Sequence, residues 1–174
     1  MSQDPIAQTQ FEERTGMTKI GLFTLIPATF LAIVVTLHDL ASTGLDLAID
    51  LVKQPQLWIM LSVLALLLSL KLKVRINDDK ISYQMLPFHR RPRLIFWQEI
   101  EYTELLKINA LREFGGWGIR RGRLGKAYNP EGNIVLHINT TKGTPINITI
   151  KNHALLSAIA AQRGWKINPL RKMS

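Results

Sequence analysis

Two long uncharged hydrophobic runs near the N-terminus place the strongest constraint on how this 174-residue chain can fold. The first covers residues 20–37, IGLFTLIPATFLAIVVTL, and the second covers residues 54–70, QPQLWIMLSVLALLLSL. A helix of about eighteen residues spans roughly 27 Å, close to the hydrocarbon thickness of a bilayer. Both runs are apolar around the whole helix, whereas helices of a soluble core usually keep a polar face. We therefore expect transmembrane helices at residues 20–38 and 56–73; two buried helices of a soluble core are the alternative.

The distribution of lysine and arginine predicts the orientation of this helical hairpin. Three cations follow the second run within residues 71–75, whereas the connection between the runs carries only Lys53. Because cations collect on the cytoplasmic side, we expect a multi-pass protein of the inner (plasma) membrane with both termini in the cytoplasm. Residues 1–19 would then be a cytoplasmic segment and residues 39–55 a short external loop. A cleaved signal peptide is disfavoured, since the first run is longer than a usual signal sequence and acidic residues precede it.

After the second run, the hydrophobic pattern changes to strict alternation, which is typical of strands with one buried face. Two hairpins are predicted, and weaker strand patterns cover residues 93–97, 100–108 and 117–121. On the alternation, His137 is expected to face solvent. The alternating apolar residues are Leu72, Val74, Ile76, Ile81, Tyr83 and Met85 in the first hairpin, and Ile134, Leu136, Ile138, Ile146, Ile148 and Ile150 in the second.

One amphipathic helix is predicted at the C-terminal end of this region. Asn152 is placed to cap its N-terminus, Leu155, Leu156 and Ile159 form an apolar stripe, and Gly164 stands where a helix commonly ends. Seven strands followed by one helix is the element order of a pleckstrin-homology-like (PH-like) antiparallel barrel or sandwich. The predicted fold class is therefore an α+β membrane protein, with two transmembrane helices, a cytoplasmic PH-like domain at residues 74–165 and a basic tail at residues 166–174.

Three short strings carry a family resemblance. They are FWQEI at residues 96–100, EFGGWGIR at residues 113–120 and GKAYNPEGN at residues 125–133. Together with the two hydrophobic runs, they resemble a group of uncharacterised bacterial membrane proteins that have a PH-like domain. The resemblance covers residues 55–160. It implies the two-helix hairpin and the PH-like fold, and it implies no activity.

A glycine-rich string and two basic clusters form the candidate interaction surface. Glycines allow close approach of a ligand, tryptophan offers a rigid plate, and arginines can bind phosphate or carboxylate. The string can equally be a glycine-kinked strand with Trp117 on the core, and the cations can serve solubility alone. If the domain lies below an anionic leaflet, the clusters would attract lipid headgroups. The candidate residues are Arg90, Arg91, Arg93, Trp117, Arg120, Arg121, Arg123 and Lys126.

The residues that could carry catalysis are scattered. The four histidines, at positions 38, 89, 137 and 153, show no metal-ligand spacing, and the chain has no cysteine. We therefore expect no cofactor, no metal and no enzymatic activity. The expected function is a non-enzymatic interaction module at the membrane surface that binds a protein partner or anionic lipid headgroups. Residues 71–174 hold nineteen lysines and arginines against seven aspartates and glutamates, a formal charge of +12, so a membrane-tethered nucleic-acid-binding module is the alternative.

Overall fold

The computed structural model describes residues 11–16, 26–43, 55–141 and 143–173. The chain forms two compact units, a β unit of residues 1–16 and 70–174 and a helical unit of residues 17–69. The elements of the β unit are β1 (Phe11–Gly16), β2 (Lys71–Ile76), β3 (Lys80–Leu86), β4 (Arg93–Phe96), a 3-10 turn (Trp97–Glu99), β5 (Ile100–Lys107), β6 (Gly118–Gly122), β7 (Gly125–Asn129), β8 (Ile134–Thr140), β9 (Ile146–Thr149), β10 (Ile167–Lys172) and two helices, at Ala110–Phe114 and His153–Arg163.

The helical unit contains α1 (Ile26–Thr43) and α2 (Pro55–Ser69), which contact each other. The prediction of two transmembrane helices is wrong, because no helix in the described part of the chain is both long and apolar enough to cross a membrane. α1 covers residues 26–37 of the first hydrophobic run and then continues through His38 and Asp39. α2 has 15 residues and measures about 22 Å, short of the roughly 30 Å of a hydrocarbon core.

Three further expectations depended on those spans. The membrane part of the fold class, the multi-pass location in the inner membrane and the description of the chain as an integral membrane protein are corrected with them. Residues 20–25, where the first span was expected to begin, lie outside the described residues, as does most of the expected external loop at residues 39–55. The first residues of that loop continue α1 as far as Thr43.

The smaller sheet has the order β1-β2-β3-β4 and is antiparallel throughout. The predicted hairpin of β2 and β3 is confirmed, and its alternating residues, Leu72, Val74, Ile76, Ile81, Tyr83 and Met85, are all at most 3% exposed. β1 comes from the segment expected to precede the membrane, and it pairs along its whole length with β2. The helical unit is therefore an insertion between two paired strands.

The larger sheet has the order β10-β5-β8-β9-β7-β6. β10 runs parallel to β5, and β7 runs parallel to β9, while the other neighbours are antiparallel. The expected antiparallel barrel or sandwich of about seven strands is therefore corrected to two sheets, the larger of them mixed. The strand at Ile167–Lys172 was expected to be a basic tail; its Pro169 and its few apolar residues hide the strand pattern.

β8 lies in the interior of the larger sheet and is buried on both faces. Val135, Leu136, His137 and Ile138 are successive residues and all are at most 5% exposed. The expectation that His137 faces solvent is therefore wrong. Alternation of residue types distinguishes the two faces of a strand, but it does not show that either face is exposed to solvent. Its Nδ1 lies 2.8 Å from Oδ1 of Asn147, whose side-chain nitrogen donates to the carbonyls of Leu124 and Lys126.

Each of the two helices of the β unit begins after an asparagine that caps its N-terminus and ends at a glycine. In α3 (Ala110–Phe114), Asn109 accepts from the amides of Leu111 and Arg112, and Phe114 packs in a cluster with Leu106 and Val135. In α4 (His153–Arg163), the predicted cap Asn152 accepts from the amide of Leu155, and Gly164 ends the helix in the left-handed conformation. Only Leu156 and Ala160 of α4 are buried, whereas Leu155 is 47% exposed.

The carboxylate of Glu13 ties β1 to the N-terminus of α4. Its two oxygens accept from the backbone amides of Lys151 at 2.7 Å and Asn152 at 2.8 Å. The same carboxylate accepts from the hydroxyl of Thr15 at 2.9 Å. Two charge-assisted bonds therefore join segments that are 138 and 139 residues apart in sequence.

We expect the change Glu13→Ala to lower the free energy of unfolding by about 1–3 kcal/mol, because hydrogen bonds to a charged group contribute that much. The matched control is Glu12→Ala on the same strand. Glu12 pairs with the exposed side chains of Arg75 and Arg14, so its loss should cost less than about 1 kcal/mol. Urea unfolding of the full chain measures both changes in the free energy of unfolding. Equal changes would contradict a stabilising link between Glu13 and the N-terminus of α4.

Candidate functional site: a basic cleft between the two sheets

A cleft of about 480 Å³ opens where β4 of the smaller sheet meets β7 and β9 of the larger one. Two cations, Arg93 and Lys126, lie in its lining together with Glu99, and we call this cavity the basic cleft. Its remaining polar lining comes largely from hydroxyl groups, including those of Thr141 and Thr144. Cations outnumber carboxylates in the described lining, so the cavity favours an anion.

Sheet pairing brings the two cations together although they are far apart in sequence. Arg93 begins β4, where it is the register partner of Tyr83, and its Nη1 donates to the hydroxyl of Tyr128 at 3.3 Å. Tyr128 and Lys126 are two residues apart on β7, and side chains two apart on a strand share a face. Arg93 and Lys126 therefore line the same cleft from the two sides of the junction between the sheets.

The face of β7 that carries Lys126 continues onto β6. Arg121 is the register partner of Lys126, so their side chains lie on the same face of the sheet. Arg120 is the register partner of Ala127, which is fully buried on the opposite face. Arg121 therefore lies beside the basic cleft, on the face of Lys126 at the edge of the larger sheet, and Arg120 does not. The cavity that Arg121 lines is a separate one, which shares Thr144 with the basic cleft.

An aromatic cluster forms the floor beside the cations. The rings of Tyr83 and Tyr128 are 4.8 Å apart, and the ring of His89 lies 5.3 Å from that of Tyr128. Burial raises the pKa of Tyr83 well above its ordinary value, and the neighbouring Tyr128 adds to the rise while Arg93 opposes it. Burial also lowers the pKa of His89, and the charge of Arg93 lowers it further. Tyr83 and His89 are therefore neutral near pH 7.

The loop after β8 forms the opposite wall. The amide of Thr141 donates to the carbonyl of Glu99 at 2.9 Å, and the amide of Lys126 donates to the carbonyl of Pro145 at 2.8 Å. A side chain at Gly125 would overlap the carbonyl oxygen of Pro145, so only glycine lets β7 approach this loop so closely. Lys142, which belongs to this loop, lies outside the described residues.

The other members of the predicted surface have different roles. Arg123 donates to both carboxylate oxygens of Glu113, at 3.3 and 3.1 Å, and so joins the β6–β7 turn to α3. Arg90 and Arg91 are exposed in the β3–β4 loop, where Gln84 donates to the carbonyl of Arg90. Of the eight predicted residues, the structure therefore brings only Arg93 and Lys126 into the basic cleft, with Arg121 beside them.

The glycine-rich string after α3 has a conformational explanation. Gly115 ends α3 in the left-handed conformation, with φ of 68° and ψ of 22°, and its amide reaches the carbonyls of Ala110 and Leu111. Gly116 and Gly118 also have positive φ, while Trp117 between them is half-buried. No protein atom lies near a side chain built at these glycines, and their positive φ angles explain why glycine is favoured there.

A second cleft, of about 470 Å³, has an aromatic lining that includes Trp97, Trp165 and Tyr102. The indole N–H of Trp97 donates to the carbonyl of Asn77, and that of Trp165 donates to Asp78 at 3.0 Å. Asp78 also lies 3.9 Å from Arg163. Its two cations, Arg163 and Lys166, are balanced by Asp78 and Glu101, so this cavity does not favour an anion.

Sequence reasoning missed the neutral half of the basic cleft. Tyr83 and Tyr128 carry no local signal of a site, because each occupies an ordinary inward position of an alternating strand. Thr141 and Thr144 belong to a loop whose partner is Glu99, some forty residues earlier in the chain. Only the three-dimensional arrangement of the strands shows that these residues line one cleft.

We expect His89 to make the protein less stable as the pH falls. The Nδ1 of His89 accepts the amide of Met85 at 3.3 Å, so protonation would remove this bond. Because the pKa is lowered in the folded state, the unfolded chain takes up the proton first below about pH 6.5, and the free energy of unfolding then decreases.

The variant His89→Asn keeps an acceptor but does not titrate. Between pH 7 and pH 5 its free energy of unfolding should decline less than that of the native chain, the difference being below about 1.4 kcal/mol per pH unit because one proton is involved. The other histidines are common to both proteins, so the difference isolates His89. Identical slopes in urea unfolding would show that His89 is not the titrating group.

We expect Gly125→Ala to destabilise the protein more than Gly143→Ala. Both glycines have positive φ, at 98° and 131°, so both changes strain the backbone by about 1–3 kcal/mol. Only the methyl group at residue 125 meets backbone atoms of Pro145; at residue 143 the nearest atom is the Thr140 hydroxyl at 3.6 Å. Equal losses in urea unfolding would disprove the close approach.

Comparison of the chain with protein-family models, with curated proteins and with solved structures gives no match. The resemblance to bacterial membrane proteins with a PH-like domain therefore stays a prediction. What this chain binds has to be inferred from the residues of the basic cleft and its surroundings.

Proposed function

We propose that the β unit is a non-enzymatic binding module that receives an acidic, extended segment of a protein partner on the basic face beside β6. One observation carries the proposal. Arg93 and Lys126 line the basic cleft, Arg121 lies beside Lys126 on the same face of the larger sheet, and none of the three pairs with a carboxylate in the described residues. Cations that are not paired with carboxylates of the same chain are suited to an anionic partner.

β6 supplies a way to hold an extended segment. It lies at the end of the larger sheet, and within the described ranges it pairs only with β7. Such an edge has backbone groups that can pair with an added strand. Alternate side chains of that strand would lie on the face of Arg121, where carboxylates would be about 5 Å away.

The other strand at an end of this sheet is less suitable. β10 contains Pro169, which has no backbone N–H, and its pairing with β5 shifts register between Asn168 and Arg171. Both features weaken pairing with a further strand. This contrast supports β6 as the acceptor edge.

The contacts of the cleft residues favour binding over catalysis. Glu99 accepts the amide of Phe96 at 3.3 Å, and Tyr83 and Tyr128 are buried. A nucleophile needs a base within hydrogen-bond reach, whereas the hydroxyl of Thr141 donates to the backbone carbonyl of Glu99 at 3.3 Å. The cations can attract and orient a ligand, which is the function of a binding module.

The aromatic side chains also favour a peptide over a nucleic acid. Single-stranded nucleic acid is usually held by bases stacked on exposed aromatic rings. Tyr83 and Tyr128 beside the cations are 3% and 2% exposed, so their faces cannot receive a base. A segment with carboxylates needs only the cations and the strand edge.

We expect a fluorescein-labelled ten-residue peptide of alternating glutamate and threonine to bind the full chain, measured by fluorescence anisotropy. Arg121→Glu and Lys126→Glu should each weaken binding about tenfold, because a like charge replaces an attractive one. The matched control is Lys172→Glu, an exposed cation on the opposite end of the same sheet. An equal loss in the control would show that only net charge matters.

A second pair of peptides tests the strand edge. A peptide of the same charge in which alternate threonines are replaced by proline cannot donate the backbone N–H groups of an added strand. It should bind at least about tenfold more weakly than the glutamate–threonine peptide. Equal affinities would refute strand addition, and tight binding of a lysine–threonine peptide would refute the module.

A further inference from the structure

The chemistry of the basic cleft is more selective than a general attraction to carboxylates. The guanidinium of Arg93 is held by the hydroxyl of Tyr128 at 3.3 Å, which uses one of its five N–H groups. The remaining donors form a planar fork that matches the oxygens of a phosphoryl group. A guanidinium held in this way is better suited to one compact oxyanion than to several separate carboxylates.

The second cation and the hydroxyl groups complete such a set. Lys126 contributes a point charge from β7, and Thr144 contributes a hydroxyl from the loop after β8. The hydroxyl of Thr141 in the same loop already donates to the carbonyl of Glu99. A phosphomonoester has three acceptor oxygens and a charge of about −1.5 to −2 near neutral pH. Two cations and a hydroxyl donor match that charge and that number of acceptors better than they match one carboxylate.

The wall of the cleft accommodates the carbon atoms that carry the phosphoryl group. Ile95 and Ile146 line it beside Tyr83, and the cavity of about 480 Å³ is within the usual range for small-ligand sites. Glu99 is the one carboxylate in the described lining. It accepts the amide of Phe96, and this hydrogen bond partly compensates its negative charge.

We infer that the basic cleft is a phosphomonoester site that receives a phosphorylated side chain of the partner segment. This inference rests on the proposed function, since the phosphoryl group would belong to the acidic segment beside β6. Arg93 would bind two phosphoryl oxygens, Lys126 would neutralise the second charge, and Thr144 would donate from the loop.

Three peptides of the alternating glutamate–threonine type test this inference against the full chain. They carry phosphoserine, serine or glutamate at one central position. The phosphoserine peptide should bind at least about tenfold more tightly than the serine peptide and more tightly than the glutamate peptide. Its advantage should decrease below about pH 6, where the phosphoryl group takes up a proton.

Side-chain variants separate geometry from charge. Arg93→Lys keeps the charge and removes the planar fork, so the phosphoserine advantage should decrease about tenfold while the serine peptide still binds. Thr144→Val keeps the shape and removes one donor, and should decrease the advantage less. Lys172→Gln should change neither affinity, and unfolding curves of each variant confirm that it folds.

Free phosphate and lipid provide the remaining comparisons. Inorganic phosphate at millimolar concentration should displace the phosphoserine peptide and leave the serine peptide bound. If the phosphoserine peptide binds no better than the glutamate peptide, the phosphomonoester site is disproved and the acidic-segment module stands. If vesicles of phosphatidylcholine and phosphatidic acid bind while no peptide does, both the phosphopeptide assignment and the proposed function are overturned.

Discussion

The contact of Tyr83 with Tyr128 is the interaction on which the basic cleft depends. The two rings lie 4.8 Å apart, one on each sheet, and both are buried. This contact sets the separation of the sheets, and Arg93 donates to the Tyr128 hydroxyl from the adjoining strand. Because the aromatic floor fixes the sheets, the cations at its rim stand at a defined distance without having to contact each other.

The hairpins of the β unit could be predicted from the sequence, but its outer strands could not. Two-residue alternation identified β2, β3, β8 and β9 because one face of each strand carries large apolar side chains. β1 and β10 are rich in charged and polar residues and are ordered mainly by pairing, as the register of Phe11 with Ile76 shows. The two membrane helices were wrong because local hydropathy does not fix where a helix begins, continues or ends.

The sequence shows the cations of the candidate site, but it does not show which of them lie together. Arginine and lysine clusters were visible in the sequence, yet Arg120 and Arg121 are neighbours that belong to opposite faces of β6. Which of them joins Lys126 depends on the register with β7, and a shift by one residue would exchange them. The contribution of Arg93 depends on how two sheets meet, which no local pattern contains.

The paired charges of the β unit explain why its basic face stays free for a partner. Most of its described acidic residues pair with cations or backbone amides away from the basic cleft, so the excess of positive charge has few counter-charges within it. In the cleft itself, Glu99 accepts a backbone amide, and Arg93 donates to the hydroxyl of Tyr128. A cation that is held by a hydroxyl group keeps its attraction for an anion, because no internal carboxylate has to be displaced first. The ion pairs in question are Glu12–Arg75, Glu104–Arg171, Glu113–Arg123, Glu131–Lys151 and Asp78–Arg163.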